Sequence, residues 1–365
     1  MAYRVLHCLA SMNRGGAETF IMNVFRGIDK SLFKFDFLLN SDDGAYIEEI
    51  NSLGGKIYTI PSRSAGIMYY CKALDDFFSE HKNEFDALHF HTSSLSSLEV
   101  LYYAKKYGVK KRIIHSHNTR QDRLIHNVLH WINKPVINHL ATTYLACSKV
   151  AADWLYKYTG VYSKSIVINN GIDVEKFAFN AQLRKEIRSF LKIDEQAVVL
   201  GHVGRFDEVK NHTFLLKIFK SFLKIKPDSY LVLVGIGPLK SICEEEAKIL
   251  GITSNVKFVG LQTEIYKFLS AFDYFIFPSL YEGLPVALVE AQASGLTVIC
   301  SNKVSPEACI SDGLTYFPLE KGADEWAKYI NERRLVNRID SCSQVIANGY
   351  SIQHTISFLT AQVYK

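Results

Sequence analysis

Two series of short β-rich runs, each alternating with amphipathic helical stretches, fill this chain of 365 residues and meet at a cluster of turn formers, Asn169-Asn170-Gly171-Ile172-Asp173. In the first series Arg4 to Ala10, Phe33 to Leu39, Lys56 to Ile60, Ala87 to Phe90, Arg112 to His115, Thr142 to Ala146 and Ser165 to Ile168 read as strands. Ala17 to Ile28, Ile67 to His81, Leu95 to Tyr107, Arg123 to Leu140 and Val150 to Tyr158 carry apolar residues at helical spacing between them. The second series places strands at Val198 to Val203, Tyr230 to Val234, Val256 to Val259, Tyr274 to Phe277 and Thr297 to Cys300. Strands separated by helices pair in parallel through right-handed crossovers, so the predicted class is α/β with doubly wound parallel sheets. The break predicts two such domains, joined near residue 175 and facing each other across a cleft. The end of the chain, Ser341 to Tyr364, is helical in pattern with a break at Gly349, and this pattern fits packing on either domain.

Composition narrows the class. With 48% hydrophobic residues and no run long enough to span a bilayer, the chain reads as globular. No cleavable leader is visible ahead of the first apolar strand, so a cytoplasmic location is expected. A net charge of +5 is too small for a dedicated nucleic-acid binder, and none is expected as a partner. Seven cysteines without a Cys-x-x-Cys pair read as reduced core residues rather than a disulfide or zinc framework. The cluster Lys105, Lys106, Lys110, Lys111 and Arg112 has two readings: a solvated helix end, or a basic face for anionic lipid or a lipid-linked diphosphate. Arg123 to Leu140, with Trp131, has the amphipathic character of a peripheral contact with the inner membrane.

Ligands of open α/β sheets gather beyond the carboxyl ends of the strands, and several unusual residues fall there. A helix starting at Pro285 aims the amides of Gly283 and Leu284 out of its N-terminus, where partial positive charge attracts phosphate. Glu282 sits at the mouth of that site and Glu290 emerges down the helix, and each carboxylate can accept from a pair of sugar hydroxyls. A surface helix with two unrelated glutamates fits the same spacing. Arg205 and Lys210, just past the first strand of the second series, are suited to neutralising a diphosphate without a metal. In the first series Asn13, Gly15 and Gly16 follow strand one, and two glycines before a helix permit close approach of a substrate. His89 with His91 and His115 with His117 each share one face of a strand; His91 and His117 are placed nearest the cleft, where imidazole can bond a hydroxyl or phosphate, while a single such histidine also fits a hydrogen-bonded structural role. No third ligand follows at a supporting spacing, so no metal site is expected. Gly235-Ile236-Gly237-Pro238 fails as a dinucleotide fingerprint, because Lys240 stands where the third glycine belongs.

Taken together, Gly15-Gly16-Ala17-Glu18, His117, Asn170-Gly171-Ile172-Asp173, Gly204-Arg205 with Lys210-Asn211, and Glu282-Gly283-Leu284-Pro285 with Glu290-Ala291 resemble the retaining nucleotide-sugar glycosyltransferases of GT-B fold. The likeness covers nearly the whole chain and points towards enzymes of bacterial capsule or exopolysaccharide assembly. It implies two Rossmann-like domains, residues 1–175 for the acceptor and 176–347 for the nucleotide sugar, with a terminal helix from about 348 to 365 returning to the first. It also implies His117, Arg205, Lys210 and Glu282 as catalytic groups, and a donor site of Gly15, Gly16, Arg205, Lys210, Glu282, Gly283, Leu284 and Glu290. Asn13, His91 and His117 fall to the sugar or acceptor side. The implied chemistry is metal-independent transfer of a hexose from a UDP-sugar, without further cofactor, to a saccharide or lipid-linked saccharide. One departure is Ser294-Gly295-Leu296-Thr297, where many members have Ala-Gly-Xaa-Pro. Rival readings are another GT-B enzyme, a phosphorylase or nucleotide-sugar epimerase, and a two-domain sugar-binding protein without activity.

Overall fold

The computed structural model describes residues 2–117, 124–333, 338 and 342–364. The chain divides into two compact units, Met1–Gly171 with Ile352–Lys365, and Ile172–Ser351. Arg123 and Ser341, where two of the expected helical stretches begin, lie outside the described residues.

In the first unit the strands β1 (Tyr3–Cys8), β2 (Phe33–Leu39), β3 (Ile57–Thr59), β4 (Ala87–Thr92), β5 (Lys111–Ser116), β6 (Thr143–Ala146) and β7 (Ile166–Val167) form one sheet in the order β3-β2-β1-β4-β5-β6-β7. Every pairing is parallel. The order reverses between β1 and β4, which makes that pair the switch point of the sheet. Both faces are covered, as parallel strands require. One face packs on helix α1 (Gly16–Gly27) through Phe20, Ile21, Val24 and Phe25, together with Leu359, Val363 and Tyr364 from the end of the chain. The other packs on helices carrying Leu74, Phe78, Leu101 and Leu155.

The second unit repeats the plan with β8 (Val198–Val203), β9 (Ser229–Val234), β10 (Val256–Gly260), β11 (Tyr274–Phe277), β12 (Thr297–Ser301) and β13 (Leu314–Phe317), ordered β10-β9-β8-β11-β12-β13 and again parallel throughout. Its switch point lies between β8 and β11. The expected doubly wound class is therefore found in both units. The edge strand β13 lies outside the expected set: four residues between Gly313 and Pro318 are too few to display a period.

Two helices differ from expectation for local reasons. The stretch from Arg123 to Leu140 is not one helix but Leu124–Asn133 followed by Ile137–Leu140, interrupted at Lys134-Pro135, where proline lacks the amide an unbroken helix needs. The helix expected from Leu95 starts only at Glu99, because side chains capture the backbone at Leu95: its N–H donates to His130 Nδ1 at 3.1 Å and its carbonyl accepts from Asn133 Nδ2 at 2.6 Å. The break at Gly349 is found, with φ of 80° between helices Cys342–Ala347 and Ile352–Phe358.

Close packing fixes β8. A Cβ added at Gly201 would stand 1.9 Å from the Phe272 ring, which is rigid and fully buried. Gly201→Ala should therefore destabilise the second unit by about 1–3 kcal/mol through overpacking, read as a lower urea midpoint with an unchanged slope.

Candidate active site

In the second unit two loops leave the carboxyl ends of neighbouring strands and are stitched together. The loop after β8 carries Arg205 and Lys210; the loop after β11 carries Glu282, Gly283 and Leu284. Leu280 N–H donates to the Val209 carbonyl at 2.8 Å, and Asn211 Nδ2 donates to the Pro278 carbonyl at 3.1 Å. The same fastening brings Lys210 Nζ to 2.5 Å from Glu282 Oε1, with the ammonium also 4.7 Å from the centre of the Phe277 ring. Both side chains are largely withdrawn from water, at 16% and 20% exposure, so this ion pair is screened less than a surface one. Arg205 stands exposed on the same loop.

Glycines set aside at the sequence level turn out to hold that loop. A Cβ at Gly235 would lie 2.0 Å from the Gly204 carbonyl oxygen, and one at Gly237 would lie 2.4 Å from the Phe206 carbonyl oxygen. With φ of 147° and 159°, both also need the freedom of glycine. Gly235-Ile236-Gly237-Pro238 is thus a backing for the Gly204–Phe206 turn.

The helix Val286–Ala293 follows the second loop, with Pro285 in the capping position and no side-chain cap on its first amides. The helix begins one residue later than the expected start at Pro285, so Gly283 and Leu284 lie just ahead of its capping residue. Glu290 is half-buried on this helix, and burial pushes its carboxyl up to about 7. Gln292, which no motif marks, is fully buried. Its amide donates to the carbonyls of Leu288 and Ala308, and its oxygen accepts from the N–H groups of Ile310 and Ser311, each at 2.9 Å. That network fixes the helix on which Glu290 stands.

In the first unit Gly15 is the N-cap of α1, and a Cβ there would meet the Glu18 carboxylate at 2.4 Å. Around Gly16 nothing lies within 4 Å of an added Cβ, so packing within the unit does not demand glycine at that position. Asn13 is engaged in shaping the loop: its Oδ1 accepts from Ala45 N–H at 3.3 Å and its carbonyl accepts from Gly15 N–H at 3.1 Å. Burial raises the Glu18 carboxyl above its ordinary range.

The histidines form a larger assembly than two pairs. Register places His7 of β1 beside His89 and His91 beside His115, with His117 one step past β5, its N–H bonded to the Thr92 carbonyl at 3.1 Å. His7 Nδ1 lies 3.0 Å from His91 Nε2, and His91 Nδ1 lies 2.9 Å from His117 Nε2. In a second row His89 bridges His115 at 3.2 Å and the Tyr364 hydroxyl at 3.1 Å. No third ligand follows these pairs at a supporting spacing in sequence, but the fold brings further rings beside them. His7, His89 and His91, and likewise His91, His115 and His117, bring ring nitrogens within 4.8 Å of one another, close enough to be considered for a cation. In the first chain, however, neighbouring nitrogens pair off in ring-to-ring hydrogen bonds, each needing a proton between them. Burial holds His7 and His117 down to about 3 and the other three well below the ordinary histidine range, so all five rings are neutral.

Comparison with known proteins follows this division. The family model of glycosyl transferases group 1 matches residues 184–351, and that of glycosyltransferase family 4 matches residues 14–176. EpsF of Bacillus subtilis, a protein named as a glycosyltransferase, is 38% identical over 370 residues, spanning 98% of this chain and 95% of EpsF. CapH of Staphylococcus aureus, a capsular polysaccharide biosynthesis glycosyltransferase, is 27% identical over 364 residues and 96% of each chain. Among solved structures, Anabaena HepE in complex with UDP-glucose superposes with a TM-score of 0.78 over 98% of each chain at 18% identity, a likeness of fold. The chain belongs to this glycosyltransferase family and has its GT-B fold of two parallel-sheet α/β domains.

The raised carboxyl of Glu290 has a defined pH signature. At pH below about 4.5 it is protonated in folded and unfolded chains alike and has no differential effect; as pH rises towards 7 the unfolded chain ionises first, and folding is progressively penalised. Glu290→Gln removes the penalty. Its melting temperature should match wild type in acid and rise above it as pH climbs through neutrality, and a constant offset across that range would refute the assignment.

Proposed function

We propose that this glycosyltransferase moves a hexose-type sugar from a nucleoside-diphosphate sugar, a UDP-sugar in the first instance, to an acceptor hydroxyl with retention of configuration. The observation that carries the proposal is the half-buried Lys210–Glu282 pair, with exposed Arg205 on the same loop as Lys210, on two stitched loops at the switch point of the second sheet. An arriving diphosphate exchanges one anionic partner of Lys210 for another, so the ammonium is never stripped of charge compensation. The Arg205 guanidinium and the amides of Gly283 and Leu284 complete a cationic seat for the departing diphosphate. Glu282, released from Lys210, and Glu290 then accept hydroxyl donors from the sugar and the ribose. Within the first unit, open space at Gly16 beside Gly15 suits close approach of a substrate to the backbone, and His117, Asn13 and His91 are assigned to the sugar or acceptor. The leaving phosphate takes the acceptor proton as attack occurs from the same face. In this scheme the charge of the diphosphate is met by side chains and peptide dipoles, and no step requires a metal.

Stabilising developing charge outweighs a single proton transfer, which sets the order of effects. Arg205→Ala or Lys210→Ala should lower kcat by about 10²–10³, the size seen when one such donor is removed, while Glu18→Ala should cost far less. Nucleotide release from a panel of donor sugars measures this, and equal losses in all three variants would overturn the mechanism.

The proposed acceptor is a lipid-linked saccharide, and the place of action is the cytoplasmic face of a membrane during capsule or exopolysaccharide assembly. No helix among the described residues is long and apolar enough to cross a bilayer. Support comes from the helix Leu124–Asn133, whose apolar stripe of Leu124, Ile125, Val128, Trp131 and Ile132 is exposed, Leu124 to 80%. Tyr158, 73% exposed, stands 6.1 Å from Trp131, and the Lys157 ammonium lies 5.5 Å from the Tyr158 ring. Aromatic rings, aliphatic side chains and a lysine on one patch suit the boundary between headgroups and acyl chains. The protein should float with anionic vesicles and the variant Ile125→Gln/Trp131→Gln/Ile132→Gln should not, with nucleotide release from the donor retained. Flotation of that variant to the wild-type extent would exclude this patch as the contact.

A further inference from the structure

The hydrogen-bonded row from His7 through His91 to His117 contains three neutral rings and two ring-to-ring bonds, so its protons must all point the same way along the chain. Each ring carries one N–H. If His7 Nδ1–H donates to His91, then His91 Nδ1–H donates to His117, and the third proton sits on His117 Nδ1. In the opposite sense His117 donates to His91, His91 donates to His7, and the third proton sits on His7 Nε2. No mixed arrangement satisfies both bonds.

The two ends are not equivalent. His7 Nε2 and His117 Nδ1 are both buried without a hydrogen-bond partner among the described residues. His7 is sandwiched in the core, with its ring centre 4.3 Å from Phe35 and 5.6 Å from Phe37, and an N–H there stays orphaned permanently. His117 lies past the carboxyl end of β5, beside Phe20 at 5.8 Å, at the edge of the sheet where ligands of this architecture gather. A buried N–H without an acceptor is costlier than a bare lone pair, so the sense that leaves the lone pair at His7 and the N–H at His117 is favoured. A ligand oxygen opposite His117 Nδ1 strengthens that bias.

We propose that His91, backed by His7, is a positioning residue that locks His117 in its Nδ1–H tautomer and makes it a hydrogen-bond donor towards the sugar or phosphate. Its consequence for turnover rests on the placement of His117 beside the reacting sugar given above. The tautomer itself does not. A metal ion would need lone pairs from three rings converging on one point, whereas here the facing nitrogens of this row are joined through protons.

Nitrogen-15 NMR of imidazole-labelled protein, with His117 assigned by its loss in His117→Gln, tests the inference directly. Wild-type protein with UDP added should show His117 protonated at Nδ1, and protonation at Nε2 overturns the proposal without any variant. His91→Phe removes the donor to His117 Nε2 and should give a mixture of tautomers, with kcat down about tenfold, the worth of one hydrogen bond, and donor KM within about twofold. His91→Gln can accept from His7 and donate to His117, and should restore both the single tautomer and most of the rate. If His91→Phe keeps the wild-type tautomer, the relay is refuted. A wild-type tautomer pattern as stated in a protein that transfers no sugar would instead count against the catalytic placement of His117 and leave the relay standing.

Discussion

An aspartate placed just ahead of the switch-point strand fastens the amino end of each sheet, and the carboxyl ends are free for chemistry because of it. Asp86, before β4, accepts from the Arg4 N–H of β1 at 2.8 Å; Asp273, before β11, accepts from the Val199 N–H of β8 at 2.7 Å. A guanidinium completes the second clamp, and another ties β1 to β2 beside the first. Arg188 is fully buried and donates to Asp273 at 2.7 Å and to the carbonyls of Ala271, Asp194, Glu195 and Ala197, while Arg4 reaches the buried Asp36 at 2.6 Å. A buried charge without a partner is strongly unfavourable, so these groups admit few alternative registers. With the amino ends pinned, strain and polarity can be concentrated in the loops at the opposite edge.

Those loops carry groups that the interior of a parallel sheet would otherwise reject. Five imidazoles on one face of the first sheet displace apolar side chains from a layer that packs against Phe20, Phe35 and Phe37. They are tolerated because each ring finds at least one partner and none is charged. The second row has a structural consequence as well: His89 bonds the hydroxyl of Tyr364, so the end of the chain is tied into the polar layer and not only into the apolar face around it.

The strand-and-helix plan was largely legible, since buried parallel strands advertise themselves as short β-branched and aromatic runs. Where the reading failed, the deciding contact was distant or the competing signal local. Pro135 announced the end of a helix, but the apolar spacing continued through it and outweighed the proline. Leu95 looked helical until side chains more than thirty positions away, His130 and Asn133, took its backbone. His7 escaped notice because a lone histidine in an apolar strand has no meaning until register sets it beside His89. The candidate anion site was better exposed to sequence reasoning, because glycine, proline and charge cluster there within short loops. Its central contact was not, since Lys210 and Glu282 are 72 positions apart and nothing in either loop alone names the other.

That contact also explains why the two loops are built so differently. The loop after β8 leans on Gly235 and Gly237, whose missing side chains let backbone pack on backbone, so Lys210 is delivered from a rigid turn. The loop after β11 is held at its far side by Glu282 itself, whose carbonyl accepts from Ser305 N–H at 3.0 Å, and then by the Gln292 network beneath the helix. A cation on a stiff support facing a carboxylate on an anchored one makes a pair whose geometry is set by the backbone rather than by side-chain entropy. Such a pair is costly to open unless new partners replace the old ones, because neither side chain gains much freedom when released. An anion able to satisfy Lys210 while hydroxyl groups satisfy Glu282 meets both requirements at once, and a sugar joined to a diphosphate offers that combination in a single molecule.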